Sequence, residues 1–223
     1  MTTALEAILF DLDGTLLDTA ADMGSALNRV LADEGRAPLG REVAEALASH
    51  GSRGLLEHAY GAEFHDRKAE LRAAFLRHYA DAIAVETKLY PGVAELLQAL
   101  KSAGLAVAIV TNKPHALTEQ LIPYYPELAA IDIRVSGDTL AVAKPHPEPI
   151  LHAAKALGVA ADACWYVGDA ERDIMAGRAA GMRTILARYG YIGPSETPES
   201  WQANHHIDQP LDLLKLVQNT TFS

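Results

Sequence analysis

The run Ala7-Ile8-Leu9-Phe10 is apolar on both faces, as a strand buried in the middle of a parallel sheet must be. Such a strand needs partner strands, yet none is convincing between about residues 19 and 84. That stretch reads as helix. Met23, Ala26, Leu27, Val30 and Leu31 follow helical spacing, as do Leu71, Ala74, Phe75, His78, Tyr79 and Ile83, with shorter pieces around Glu42–Ser49 and Leu55–Tyr60. From Pro91 the rhythm changes. A helix carrying Val93, Leu96, Leu97 and Leu100 ends at Gly104, and a continuous apolar strand follows at Leu105–Val110. Helices near His115–Ile122, Glu148–Leu157 and Ile174–Ala180 then alternate with strands at Ile131–Val135, Cys164–Val167 and Thr184–Ala187. Strand–helix alternation predicts right-handed crossovers and a largely parallel sheet. The first strand therefore belongs with the later part of the chain.

The expected architecture is an α/β, doubly wound, Rossmann-like core from residues 1–17 and 86–223. A helical unit, residues 18–85, is inserted after the first strand. Segments near Leu16–Asp18 and Val85–Tyr90 form the two crossings, and two crossings permit a hinge.

Composition narrows the partners. Of 223 residues, 49% are hydrophobic, enough for a sizeable core, and the net charge is −10. An acidic surface disfavours nucleic acid and anionic membrane as partners, and any phosphorylated ligand requires locally gathered positive charge. The lone cysteine, Cys164, excludes an internal disulfide and fits a reducing compartment; its apolar neighbours predict a buried, inert thiol. No apolar run approaches the ~18 residues of a spanning helix, and the N-terminus has no basic, secretory pattern, so a soluble cytoplasmic protein is expected.

In an open parallel sheet, ligands gather beyond the carboxyl ends of the strands. The polar residues at those ends form a short series. Asp11-Leu12-Asp13-Gly14-Thr15 follows the first strand, Thr111-Asn112 the second and Gly168-Asp169 a later one, with Asp173 on the next helix. Lys144-Pro145 precedes another helix. Paired carboxylates repel each other, and a metal ion, a proton or a basic side chain must compensate. Oxygen-only acidic ligands suit Mg²⁺, whereas a zinc site would show His or Cys at fixed spacing. His58, His65 and His78 show no such spacing, and His205-His206 lies far from the motifs and is assigned no role. A threonine at a strand end before a helix suits phosphate oxygens, and Lys144 supplies positive charge among the carboxylates.

These four motifs, in this order, resemble the haloacid dehalogenase-like superfamily over nearly the whole chain. The insertion lies where the subclass with a cap after the first motif carries it. The resemblance implies Asp11 as a nucleophile that becomes an aspartyl-phosphate, and Asp13 as the acid and base. It implies that Thr111, Asn112 and Lys144 bind the phosphoryl group. Mg²⁺ would be held by the carboxylates of Asp11 and Asp169 and the carbonyl of Asp13, supported by Asp173. Ala170 departs from the Ser or Thr that relatives often carry there, which removes a minor hydrogen bond.

Asp13 favours phosphate chemistry, because relatives that displace halide typically lack a carboxylate at that position. Thr111-Asn112-Lys113-Pro114, Lys144-Pro145-His146-Pro147-Glu148-Pro149 and Arg188-Tyr189-Gly190-Tyr191 look like bacterial phosphoglycolate phosphatases. The tail with Ile192 and Trp201 also resembles N-acetylmuramic acid 6-phosphate phosphatases. A phosphomutase of the β-phosphoglucomutase type keeps the same four motifs and stands as a further alternative. The expected substrate is a small carboxylated phosphate ester, 2-phosphoglycolate first. Ser49-His50-Gly51-Ser52-Arg53-Gly54 reads as a polar link between cap helices, bringing Ser52 or Arg53 to the substrate's far end, where Arg53 would pair with its carboxylate.

Overall fold

In the computed structural model, which describes residues 4–221, the isolated first strand finds its partners far along the chain. β1 (Ala7–Phe10) is followed by a two-residue β2 (Leu17–Asp18). Four helices come next: α1 (Ala20–Asp33), α2 (Arg41–Leu47), α3 (Gly51–Tyr60) and α4 (Glu63–Asp81). The chain returns through β3 (Lys88–Leu89) and continues as α5 (Val93–Ser102), β4 (Ala106–Val110), α6 (His115–Leu121), α7 (Pro126–Ala129) and β5 (Ile133–Val135). It ends with α8 (Glu148–Leu157), β6 (Cys164–Gly168), α9 (Glu171–Ala179), β7 (Arg183–Ala187), β8 (His205–Ile207) and α10 (Asp212–Thr221). The outermost residues of the expected core, 1–3 and 222–223, lie outside the described residues.

The main sheet has the order β5-β4-β1-β6-β7-β8, and every neighbouring pair is parallel. β1 is central, and the chain fills one side of it before crossing to the other. The switch point therefore lies between β1 and β6, where their carboxyl ends open a crevice. Alternation along β1 shows how the two layers form. Ile8 and Phe10 join a cluster with Leu96 and Leu100 of α5, while Ala7 and Leu9 pack with Ile150 of α8 and Ala176 of α9. Tyr166 of β6 is fully buried on the second face, and Cys164 beside it is a free, buried thiol.

The two crossings are held together. β2 and β3 pair antiparallel, Leu17 opposite Leu89, and the Tyr90 amide donates to the Leu16 carbonyl at 3.1 Å. Asp22, buried on the first turns of α1, accepts from the backbone amides of Val85, Glu86 and Thr87 and from the Thr87 hydroxyl at 2.7 Å. A carboxylate taking several donors is a strong clamp. On the other crossing, the Tyr191 hydroxyl accepts from the amides of Thr19 and Ala20 and donates to Asp18.

Two local readings differ from the sequence expectation. Gly51–Gly54 is the first turn of α3, entered through a 3₁₀ turn at Ala48–His50, and not an irregular link. Gly54 permits this because a Cβ there would run into the His50 side chain, so the glycine serves close packing of the turn. Helix α9 begins at Glu171, three residues earlier than its apolar pattern shows, because its first turn carries Arg172 and Asp173 for the crevice.

Candidate active site

β1 delivers Asp11 to the crevice, and the tight turn at Gly14, with φ of +79°, carries Asp13 back beside Leu17. The glycine is required twice over. Its φ is left-handed, and a Cβ there would collide with the Asp169 carboxylate and the Tyr191 ring. Gly190 is subject to the same crowding on the opposite side, since its Cβ would meet Asp169 and the Gly14 carbonyl. Two backbones thus close on one buried carboxylate.

Asp11, Asp169 and Asp173 meet there, each offering an oxygen within 4.8 Å of the others. All three are buried. Asp169 is held by the Tyr191 amide on Oδ2 at 2.8 Å, while its Oδ1 has no hydrogen-bond partner. Burial, with the negative neighbours Asp173 and Asp11, pushes the Asp169 carboxyl up to about 8. A buried, unsatisfied carboxylate oxygen facing two more carboxylates is a position that a cation would satisfy. The donor set is all oxygen, which suits a hard divalent ion. The residues fit a metal.

Lys144 partly offsets this charge. Its ammonium is fully buried and lies 2.9 Å from Asp11 Oδ1 and 2.8 Å from Asp173 Oδ1, and donates to the Val110 carbonyl and the Tyr166 hydroxyl. Burial opposes ionisation of Asp11, but Lys144 and Arg172 outweigh it and hold this carboxyl below the usual range. For Asp173 burial wins, with Asp11 adding to it, and the carboxyl is raised despite Lys144. Asp173 also accepts the Ala170 amide at 3.0 Å, so the start of α9 is fixed without a hydroxyl at position 170. Thr111 is buried at the end of β4, its hydroxyl accepting from the Lys113 amide. The Asn112 side chain turns to the Lys144 backbone, donating to its carbonyl at 2.8 Å and accepting its amide at 3.0 Å. Asn112 thereby sets the position of Lys144.

Asp13 is not part of the carboxylate group. Its Oδ1 accepts from the Thr19 hydroxyl at 2.7 Å and from the Lys113 ammonium at 2.8 Å. Lys113 also donates to Tyr79 of α4 at 3.1 Å. Arg172 reaches 3.8 Å from Asp11 and donates to the Ser49 carbonyl at 2.6 Å, joining the core to the start of the 3₁₀ turn. Sequence reasoning singled out neither Lys113 nor Arg172 as a site residue, although both lie directly beside chosen ones, after Thr111-Asn112 and before Asp173.

Above these groups lies a cavity of about 700 Å³. Its floor holds Asp11, Asp13, Thr111 and Arg172; its helical wall includes Arg72, Phe75, Leu76 and Tyr79 of α4. Ser52 and Arg53 line it as well, but the Arg53 side chain is 69% exposed and ion-paired with Glu57 at 2.7 Å.

The family model described as haloacid dehalogenase-like hydrolase matches residues 8–187. The chain is 42% identical over 207 residues to a phosphoglycolate phosphatase of Xanthomonas campestris pv. campestris, covering 93% of this chain and 94% of that one. It is 36% identical over 214 residues to an N-acetylmuramic acid 6-phosphate phosphatase of Pseudomonas aeruginosa, covering 96% and 95%. A crystal structure described as a "predicted phosphoglycolate phosphatase" from Haemophilus somnus superposes with a TM-score of 0.84 at 25% identity, covering 95% of this chain and 97% of that one.

Proposed function

The chain belongs to the haloacid dehalogenase-like hydrolases, and within that family we propose that it is a Mg²⁺-dependent phosphomonoesterase for a small carboxylated phosphate ester, 2-phosphoglycolate first. The observation that carries this reading is the convergence of Asp11, Asp169 and Asp173 beside a fully buried Lys144. The similarity to a phosphoglycolate phosphatase supports the substrate.

In this reading the Asp11 carboxylate attacks phosphorus, and the ester P–O bond breaks as the aspartyl-phosphate forms. Asp13 gives a proton to the leaving oxygen, then takes one from the water that cleaves the intermediate. Lys144 and Thr111 hold phosphoryl oxygens, with Asn112 fixing the lysine's backbone. Asp11, Asp169 and the Asp13 carbonyl would hold Mg²⁺, with Asp173 in support. When bound, the ion neutralises the charge shared by nucleophile and phosphate. Residues 18–85 act as the cap, covering the cavity from above.

A second reading has its own observation. A cavity of about 700 Å³ with an apolar wall far exceeds a two-carbon acid and suits N-acetylmuramic acid 6-phosphate. Phosphate release from 2-phosphoglycolate, N-acetylmuramic acid 6-phosphate and a hexose 1-phosphate, with and without Mg²⁺, tests both. Mg²⁺-dependent release, highest from 2-phosphoglycolate, is expected. Conversion of the hexose 1-phosphate into its isomer, without net release, would contradict hydrolysis altogether.

A further inference from the structure

We infer that Lys113 is the residue that receives the substrate's carboxylate, provided that carboxylate stands on the carbon bearing the phosphate ester; the inference rests on the phosphatase reading and sharpens its substrate class. Chemistry fixes where such a reader must be. In a 2-phospho acid of this kind, a single carbon separates the ester oxygen from the carboxyl group. The cation that reads it must therefore neighbour the residue that protonates that oxygen.

Lys113 meets this condition. Its ammonium lies 2.8 Å and 3.1 Å from the two oxygens of Asp13, and the residue lines the cavity. Tyr79 holds it from the other side, with its hydroxyl at 3.1 Å and its ring centroid at 4.6 Å. The remaining cations of the cavity are engaged or distant. Arg53 is tied to Glu57, and Arg172 to the Ser49 carbonyl. Arg72 stands seven residues before Tyr79 on α4, roughly 10 Å further along the helix.

An exchange of partners follows. When Asp13 engages the ester oxygen, it gives up its contact with Lys113. A buried ammonium without a counter-charge is costly. A substrate carboxylate beside the ester takes the vacated place, while a substrate without one leaves the lysine unpaired. Tyr79 keeps the ammonium in position throughout, so a residue of the helical insertion takes part in reading the substrate.

The test compares kcat/KM for 2-phosphoglycolate, its one-carbon-longer homologue 3-phosphooxypropionate, and ethyl phosphate, in wild type, Lys113→Met and Lys113→Arg. Wild type is expected to prefer 2-phosphoglycolate to ethyl phosphate by about 100-fold or more, as for a site whose polar partner is missing from the analogue. The preference should weaken for the longer acid. Lys113→Met should bring 2-phosphoglycolate to within a few-fold of ethyl phosphate, chiefly through KM, and Lys113→Arg should keep most of the preference. Equal losses on 2-phosphoglycolate and ethyl phosphate would make Lys113 a support for Asp13 alone and overturn the inference. A wild type that favours the longer acid would overturn it without any variant, which decides the matter should Lys113→Met not fold. A wild type that hydrolyses none of the three, and no other phosphate ester, would instead remove the phosphatase reading beneath it.

Discussion

The floor of the cavity and its helical wall are built on different principles. On the floor, Lys144 is fully buried among four partners, Asp169 is enclosed by Gly14 and Gly190, and Asn112 makes two hydrogen bonds to the Lys144 backbone. On the wall, Arg53 is largely exposed and paired only with its own helix, and Arg72 is exposed too. Groups that must hold a geometry to a fraction of an ångström sit at strand ends, where every side chain is over-determined. On the proposed reading, Arg53 and Arg72 choose among substrates from exposed helix positions, where a substitution costs little stability. Lys113 belongs to the floor but is contacted from the wall through Tyr79.

Breaking the floor should give the largest effects. Asp11→Asn is expected to lower turnover by about 10⁴-fold or more on every substrate alike, since no other group takes the phosphoryl transfer. Steady-state assays on two unrelated esters check this, and turnover above about one per cent of wild type would remove Asp11 as nucleophile. Next comes Asp22→Ala, which strips the acceptor from three backbone amides and a hydroxyl at the second crossing. Chemical denaturation should show a loss of at least about 1.5–3 kcal/mol, the range for a single hydrogen bond to a charged group. An unchanged midpoint would show that the crossing does not need its clamp.

Metal binding can be read without turnover. The ordinary value of an Asp carboxyl is 3.8, whereas in the fold Asp169 is raised to about 8. Between those values the native state binds more protons than the unfolded state, so the metal-free protein loses stability as pH rises from about 4 to about 8. The ion counters the charge that causes this loss. The rise in melting temperature on adding Mg²⁺ should therefore be larger at pH 8 than at pH 5, and should largely vanish in Asp169→Asn. A rise independent of pH and of residue 169 would place the ion elsewhere.

Changes on the wall should be smaller and selective. Arg72→Ala is expected to cost about tenfold on N-acetylmuramic acid 6-phosphate, or about 1.4 kcal/mol, with 2-phosphoglycolate within twofold. Arg53→Ala should cost less, because its exposed pair with Glu57 is worth only about 0.5 kcal/mol and competes with any ligand. Equal losses on both substrates would show that the wall does not select.

The central strands and the motifs at the ends of β1, β4 and β6 were legible in the sequence because each of these strands is a short apolar run and its motif follows it directly. Strands β2, β3 and β8 are not apolar runs. Ala7–Phe10, Cys164–Gly168 and the residues after them are local patterns, continuous apolar runs that end in polar residues. The partners that finish the site were not legible. Arg172 meets the Ser49 carbonyl across 123 positions and Lys113 meets Asp13 across 100, distances that only the folded chain closes. Asn112 is expected among the phosphate-binding residues; that its side-chain amide also pairs with the peptide at Lys144 is something sequence spacing does not reveal. The glycines of Gly51–Gly54 suggested a loop. In the fold the segment is helical, and Gly54 packs against His50 four residues earlier, a local fit that a count of glycines does not reveal.

Rapid acid quench of the enzyme with ³²P-labelled 2-phosphoglycolate and Mg²⁺, followed by peptide mapping, addresses the phosphoryl acceptor itself. Label is expected on the peptide containing Asp11, absent from Asp11→Asn, and longer-lived when Asp13 is replaced by Asn. Turnover that proceeds with no labelled protein at any quench time, or with label on another residue, would contradict the assignment of the β1 carboxylate as the nucleophile.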